Sequence, residues 1–188
     1  MVAGLVLAAG AGTRFGGRKQ LAELDGRPLL DHALAAMASA PVEPVTVVLG
    51  ADADAIRAAV DMHGAEPIVC HEWDEGQSAS LRMGIDALER AGAEAVVVTL
   101  GDQPRIAARA IAAVVAARAP GEADAVRATY DGRPGHPVLL ERSLFDAVHD
   151  LRGDTGARAV LGSARVVDVP CDGLGDPADV DTPDDLNA

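Results

Sequence analysis

A chain of 188 residues is long enough to bury a sizeable core, and it reads as a single domain, 1–188. A net charge of −13 argues against a nucleic-acid or anionic-membrane surface, and aromatics at 2% are too few for a platform that stacks single strands. No run of about twenty apolar residues could span a membrane, no secretory leader pattern is visible, and Cys70 and Cys171 have neither metal-finger spacing nor a disulfide framework; the expected compartment is the cytoplasm.

The apolar run 2–8 predicts a buried first strand, which breaks into a glycine-rich loop. A helix is expected over 29–38, a second strand over 45–49, a helix over 54–62 and a short strand over 67–70. A helix over 78–90 precedes a strand over 95–100 that is apolar throughout, as a central strand covered on both faces should be. A helix over 107–117, strands over 123–130 and 137–140, helices over 144–149 and 155–161 and a strand over 165–169 follow. This alternation predicts an α/β fold, with helices on both faces of a mostly parallel sheet. Such sheets bind ligands beyond the carboxyl ends of their strands.

The first loop carries Gly10, Gly12, Gly16 and Gly17 together with Arg14, Arg18 and Lys19. Glycine lets backbone N–H groups approach an anion closely, and the cations supply charge where a phosphate would sit. It is neither a P-loop, since no Ser or Thr follows Lys19, nor the dinucleotide fingerprint, since its spacing is G-x-G-x-x-x-G. Asp102 directly follows the strongest strand, in Gly101-Asp102-Gln103-Pro104, where a carboxylate suits either an ordinary turn or a magnesium ion touching phosphates. In Asp179-Val-Asp181-Thr182-Pro183, Thr182 reads as an N-cap and Pro183 as the first helical residue. That leaves Asp179 and Asp181 unexplained, and Asp181 is the candidate second carboxylate for the same metal. Ser78 and Ser80 open a helix, either as caps or as hydroxyls reading a nucleobase edge. The stretches 130–137 and 152–158 add cations, glycines and a helix N-terminus suited to a second anion; His136 alone is equally a surface histidine.

Leu7-Ala8-Ala9-Gly10-x-Gly12-x-Arg14-Phe…Lys19 resembles the signature of nucleotidyltransferases that activate sugars, polyols and pterins. Gly101-Asp102-Gln103-Pro104, Gly135-His136-Pro137-Val138, Arg152-Gly-Asp154-x-Gly156-Ala157-Arg158 and Asp179-x-Asp181-Thr-Pro-x-Asp-Leu186 resemble the subgroup that transfers a nucleotide onto molybdopterin. Arg18 departs from the proline or neutral residue common before the lysine. The resemblance implies a Rossmann-like three-layer sandwich with a mostly parallel mixed sheet, of the nucleotide-diphospho-sugar transferase type. It implies that Leu7, Ala8, Ala9, Gly10 and Gly12 bind base and phosphates, that Arg14 and Lys19 neutralise the triphosphate, and that Asp102 and Asp181 hold magnesium. Arg14, Lys19 and Asp102 are then the catalytic candidates. Ser80, with Ser78 beside it, would read the base as in cytidylyltransferases. Arg133, His136, Asp154 and Arg158 would face the acceptor.

The expected reaction moves CMP from CTP onto molybdopterin and releases pyrophosphate, with the nucleotide in the N-terminal half and the acceptor in the C-terminal half. The expected partners are small molecules, namely a nucleoside triphosphate and molybdopterin or another phosphorylated acceptor. A transient contact with a molybdoenzyme or its chaperone would follow from that product. Rival readings are GTP as donor, a phosphorylated hydroxy acid or polyol as acceptor, an NAD(P)H-dependent oxidoreductase of the nicotine-blue type, and a non-catalytic carrier of molybdenum cofactor.

Overall fold

β1 (Val2–Ala8) alternates its side chains between two cores, Val6 and Ala8 to one face and Ala3, Leu5 and Leu7 to the other. A strand buried on both faces reads as one apolar run, which is why it is visible in the sequence. The computed structural model describes residues 1–187; Ala188, the last residue of the expected domain, lies outside them.

After β1 the chain turns through two 3-10 segments, Thr13–Phe15 and Lys19–Leu21. A small hairpin, β2 (Glu23–Leu24) with β3 (Arg27–Pro28), leads into α1 (Leu29–Ala38). Next come β4 (Val45–Leu49), α2 (Ala53–Ala59), β5 (Glu66–Val69), a 3-10 turn at Trp73–Glu75 and α3 (Gln77–Arg90). β6 (Ala95–Leu100), α4 (Ala108–Ala116), β7 (Ala125–Tyr130), β8 (Arg133–Glu141) and α5 (Phe145–His149) follow. β9 (Val166–Pro170) is the last strand, and Pro183–Asn187 forms a 3-10 segment.

The sheet has seven strands in the order β5-β4-β1-β6-β8-β7-β9. All neighbouring pairs are parallel except the two made by β8. Side chains of α1, α2 and α4 pack on one face and those of α3 and α5 on the other, giving the expected three layers. α3 lies so close to β1 that a Cβ on Gly84 would come within 2.4 Å of Leu5 Cδ1. Among the described residues no helix is long and apolar enough to cross a membrane.

Three expectations change. The stretch expected as a helix over 155–161 forms 3-10 turns at Ala157–Ser163 instead, preceded by the left-handed Gly153. The helix expected over 54–62 stops at Ala59, because Val60 is extended. The strand expected over 137–140 begins at Arg133. Pro134 and Pro137 fit there because β8 pairs with β6 only from Val138 onward, and its pairing with β7 shifts register between Arg127 and Thr129.

Two features of the topology place the site. β1 pairs with β4 on one side and β6 on the other, so the strand order reverses there, and Leu7 and Leu100 lie side by side at the carboxyl ends. Beyond β9 the chain returns over the loop that follows β6. Asp176 N–H donates to Arg105 O at 3.1 Å and Val180 N–H to Asp102 O at 2.9 Å.

Candidate functional site

The glycine loop is shaped by its own chain and by one buried glutamine. Gly12 takes φ +61, and a Cβ there would lie 2.7 Å from Lys19 Cβ. The N–H groups of Phe15 and Gly17 both donate to Gly12 O at 3.0 Å. Gln20 is 6% exposed, and its Nε2 donates to Ala8 O at 3.1 Å and to Gly10 O at 2.8 Å. These two bonds turn the loop carbonyls inward and satisfy them, which leaves the other side of the loop for an anion. The space where a Cβ of Gly10 would stand is open for 4 Å.

Asp102 and Asp181 meet on Lys19. Lys19 Nζ donates to Asp102 Oδ2 at 2.8 Å and to Asp181 Oδ1 at 3.3 Å. Arg14, whose side chain is 78% exposed, holds the other oxygen of Asp181 at 2.8 Å. The Val180–Asp102 bond brings Asp181 here, and the following turn fixes it. Asp185 Oδ2 accepts the N–H groups of Asp181 (2.9 Å) and Thr182 (2.7 Å) and the Thr182 hydroxyl (2.9 Å). Those bonds hold the Asp185 carboxyl below its usual range. Thr182 therefore begins the turn as expected, but its hydroxyl donates to Asp185 rather than accepting a helix N–H.

Asp179 stands beside the pair. Gln103 Nε2 donates to Asp179 Oδ1 at 2.8 Å and to Pro177 O at 2.9 Å. Burial, and then the negative charge of Asp102, raises the Asp179 carboxyl above its usual range. Two carboxylates already converging on one cation form a hard-oxygen set that fits a divalent ion of the magnesium or manganese type, with waters or phosphate oxygens completing its shell.

A cavity of about 580 Å³ opens above the loop. Of the predicted residues, Leu7, Ala8, Ala9, Gly10, Gly12, Arg14, Lys19, Ser80, Asp102, Asp154 and Asp181 line it. Ser78, Arg133, His136 and Arg158 are not part of that wall. Ser78 is 1% exposed, with its N–H donated to Gly153 O at 3.3 Å and its hydroxyl buried without a partner. It packs under the loop at 153, away from the cavity wall. Arg133 and Arg158 are exposed. Ser80 reaches the cavity while hydrogen-bonded to the Cys70 thiol, which burial pushes up. Asp154 arrives because Gly76, at φ +111, allows backbone contact; a Cβ there would come within 2.6 Å of Asp154 N.

His136 lies outside the cavity wall but within electrostatic reach of Asp102. Burial lowers its pKa to about 4, against an opposing pull from Asp102, so the ring is neutral near pH 7. Trp73, Asp74, Gln77 and Gln20 also line the cavity and did not figure among the predicted residues. For Gln20 the available signal was its place directly after Lys19. Asp52 follows β4, where a dinucleotide-binding acid would stand, but it lies 3.7 Å from Arg18 and off the cavity wall.

Residues 4–169 match the family described as MobA-like NTP transferase domain. The chain is 33% identical over 167 residues to nicotine blue oxidoreductase of Paenarthrobacter nicotinovorans, covering 85% of this chain and 81% of that protein. It is 30% identical over 196 residues to the purine catabolism protein PucB of Bacillus subtilis, covering 98% and 93%. The crystal structure of Rv0371c from Mycobacterium tuberculosis superposes with a TM-score of 0.87 at 32% identity, over 99% of this chain and 95% of that one. A second structure of Rv0371c, in complex with manganese, superposes with a TM-score of 0.83 at 30% identity, over 99% and 96%. The sheet order, the glycine loop at the switch point and a match over most of the chain agree: this protein belongs to the MobA-like NTP transferase family.

Proposed function

We propose that this chain is a magnesium-dependent cytidylyltransferase that moves CMP from CTP onto molybdopterin and releases pyrophosphate. The observation that carries the reading is the convergence of Asp102 and Asp181 beside a cationic glycine loop. The whole chain acts as one unit, with the nucleotide on the N-terminal half and the acceptor on the C-terminal half.

The terminal phosphate of the acceptor attacks the α-phosphorus of CTP in line. A P–O bond forms there while the bond to the β-phosphate oxygen breaks, and that electron pair leaves on pyrophosphate. A phosphate dianion is already a competent nucleophile, so the chain needs no general base. Its work is to align two polyanions and offset their charge. The loop 7–12 offers its backbone to base and phosphates, held in shape by Gln20. Arg14 and Lys19 neutralise the triphosphate. Asp102 and Asp181 would hold the divalent ion, which supplies Lewis-acid charge at the phosphates when bound. Ser80 on the cavity wall supports a contact with the cytosine edge. Asp154, with neutral His136 and exposed Arg133 and Arg158, borders the acceptor side.

The test is a screen of all four nucleoside triphosphates with magnesium, detecting pyrophosphate with and without molybdopterin. Release with CTP that depends on molybdopterin is the expected result, and GTP dependence would replace the donor. The likeness to nicotine blue oxidoreductase favours a second reading, an NAD(P)H-dependent reduction. Oxidation of NADPH with an added electron-accepting dye, without pyrophosphate release, would establish it in place of transfer.

A further inference from the structure

Lys19 is the only lysine in the sequence; every other residue among its sixteen Lys and Arg is an arginine. The one lysine ammonium of the chain thus stands between the two carboxylates of the proposed metal site. Its side chain is 10% exposed, with Nζ 2.8 Å from Asp102 and 3.3 Å from Asp181. Arginine's planar fork would not fill that point position in the same way.

The surroundings allow the ammonium to move but not the backbone that carries it. Lys19 opens a 3-10 turn, Gln20 next to it is tied to the loop by two hydrogen bonds, and Gly12 packs against Lys19 Cβ. Only the arm beyond Cβ is free to swing. Lys19 also lines the cavity above the glycine loop, so the swing leads there. Mg²⁺ binds oxygen ligands at about 2.0–2.1 Å. It would therefore need the space between Asp102 and Asp181 that Nζ fills, and two cations cannot share it.

We propose that Lys19 is a built-in surrogate cation: its ammonium holds Asp102 and Asp181 together before metal arrives and has to leave for metal to enter. Displaced into an empty cavity, the ammonium loses both counter-ions. Displaced onto a triphosphate, it regains them. Metal and triphosphate thus favour each other's binding, and free metal alone is disfavoured. The metal-free site keeps its charges paired rather than repelling. This inference rests on Asp102 and Asp181 being the metal ligands, and it concerns the nucleotide-free protein.

Manganese binding to the nucleotide-free protein, followed through the electron paramagnetic resonance signal of free Mn²⁺, tests it. Lys19→Met should bind Mn²⁺ about five- to a hundredfold more tightly than wild type. Equal or weaker binding by a folded Lys19→Met overturns the proposal. Wild-type protein gives a second measurement that does not depend on the variant's folding. With lysine labelled at ¹³Cε and ¹⁵Nζ, the single lysine resonance should move as Mg²⁺ fills the site. A resonance that stays put at saturation, with saturation set by competition against Mn²⁺, overturns it. The two readings fail separately. Pyrophosphate release by the wild type, with unchanged Mn²⁺ affinity in Lys19→Met, removes the surrogate role and leaves the transferase. Tighter Mn²⁺ binding by Lys19→Met, with no pyrophosphate release by the wild type, does the reverse.

Discussion

Val180 donates its N–H to the carbonyl of Asp102 at 2.9 Å. With the Asp176–Arg105 bond, this backbone bond joins the C-terminal segment to the loop after β6, and it sets the next residue, Asp181, beside the Asp102 carboxylate. Backbone pairing of this kind fixes the spacing of two acidic groups more firmly than their side chains could alone. The Asp185 cap on Asp181 and Thr182 holds the arrangement from the other side.

Asp102→Ala and Asp181→Asn should each keep the fold and slow pyrophosphate release by about two to three powers of ten, the usual cost of losing a charge partner in such a site. Circular dichroism checks the fold and a coupled pyrophosphate assay checks the rate. Turnover near the wild-type value in either variant would remove that residue from the metal site.

Gln20→Leu keeps the volume and removes the donor. The carbonyls of Ala8 and Gly10 then lose a buried partner, at a cost of about 1–3 kcal/mol. Tm should fall by several degrees and the KM for the nucleotide should rise. An unchanged Tm would show that the loop holds its shape without this side chain.

Much of the fold is legible in the sequence because burial on both faces writes it plainly. β1, β4 and β6 are central and apolar, and each appears within a residue of its expected limits. The strand expected over 137–140 misses residues 133–136 of β8; Pro134 and Pro137 lie where β8 has run past its pairing with β6. The β2–β3 hairpin was missed although Asp25-Gly26 is a turn signal. Its strands are two residues each, too short to show alternation. At the site, residue type pointed to Asp102, Asp181 and Lys19, but not to the direct contact among them. That contact depends on how residues 175–181 cross the 102–106 loop, which no local pattern encodes. Ser78 and Ser80 are alike in sequence, and their two-residue spacing on α3 turns one toward the 153 loop and the other to the cavity.

Gly76→Ala forces a side chain into φ +111 and within 2.6 Å of the backbone at Gly153 and Asp154. The strain alone costs about 1–3 kcal/mol, and the clash pushes the Asp154 loop away from the cavity. Thermal unfolding should register the loss. A variant as stable as wild type would mean that the two loops do not touch.

His136 should make stability fall in mild acid. Its folded pKa of about 4 lies below the ordinary 6.5, so the unfolded chain takes up the proton first. The contribution is complete above pH 6.5 and is lost as pH falls toward 4. His136→Gln has no such proton, so its urea midpoint should decline less than that of wild type over this window. Parallel declines in the two proteins would mean that the ring is not desolvated.

Crystals grown with CTP and Mn²⁺, measured for anomalous scattering from manganese, test the central claim most directly. The account predicts a peak ligated by both Asp102 and Asp181, with Lys19 Nζ moved onto the triphosphate. A manganese peak elsewhere, with Lys19 still bridging the two carboxylates, would contradict it.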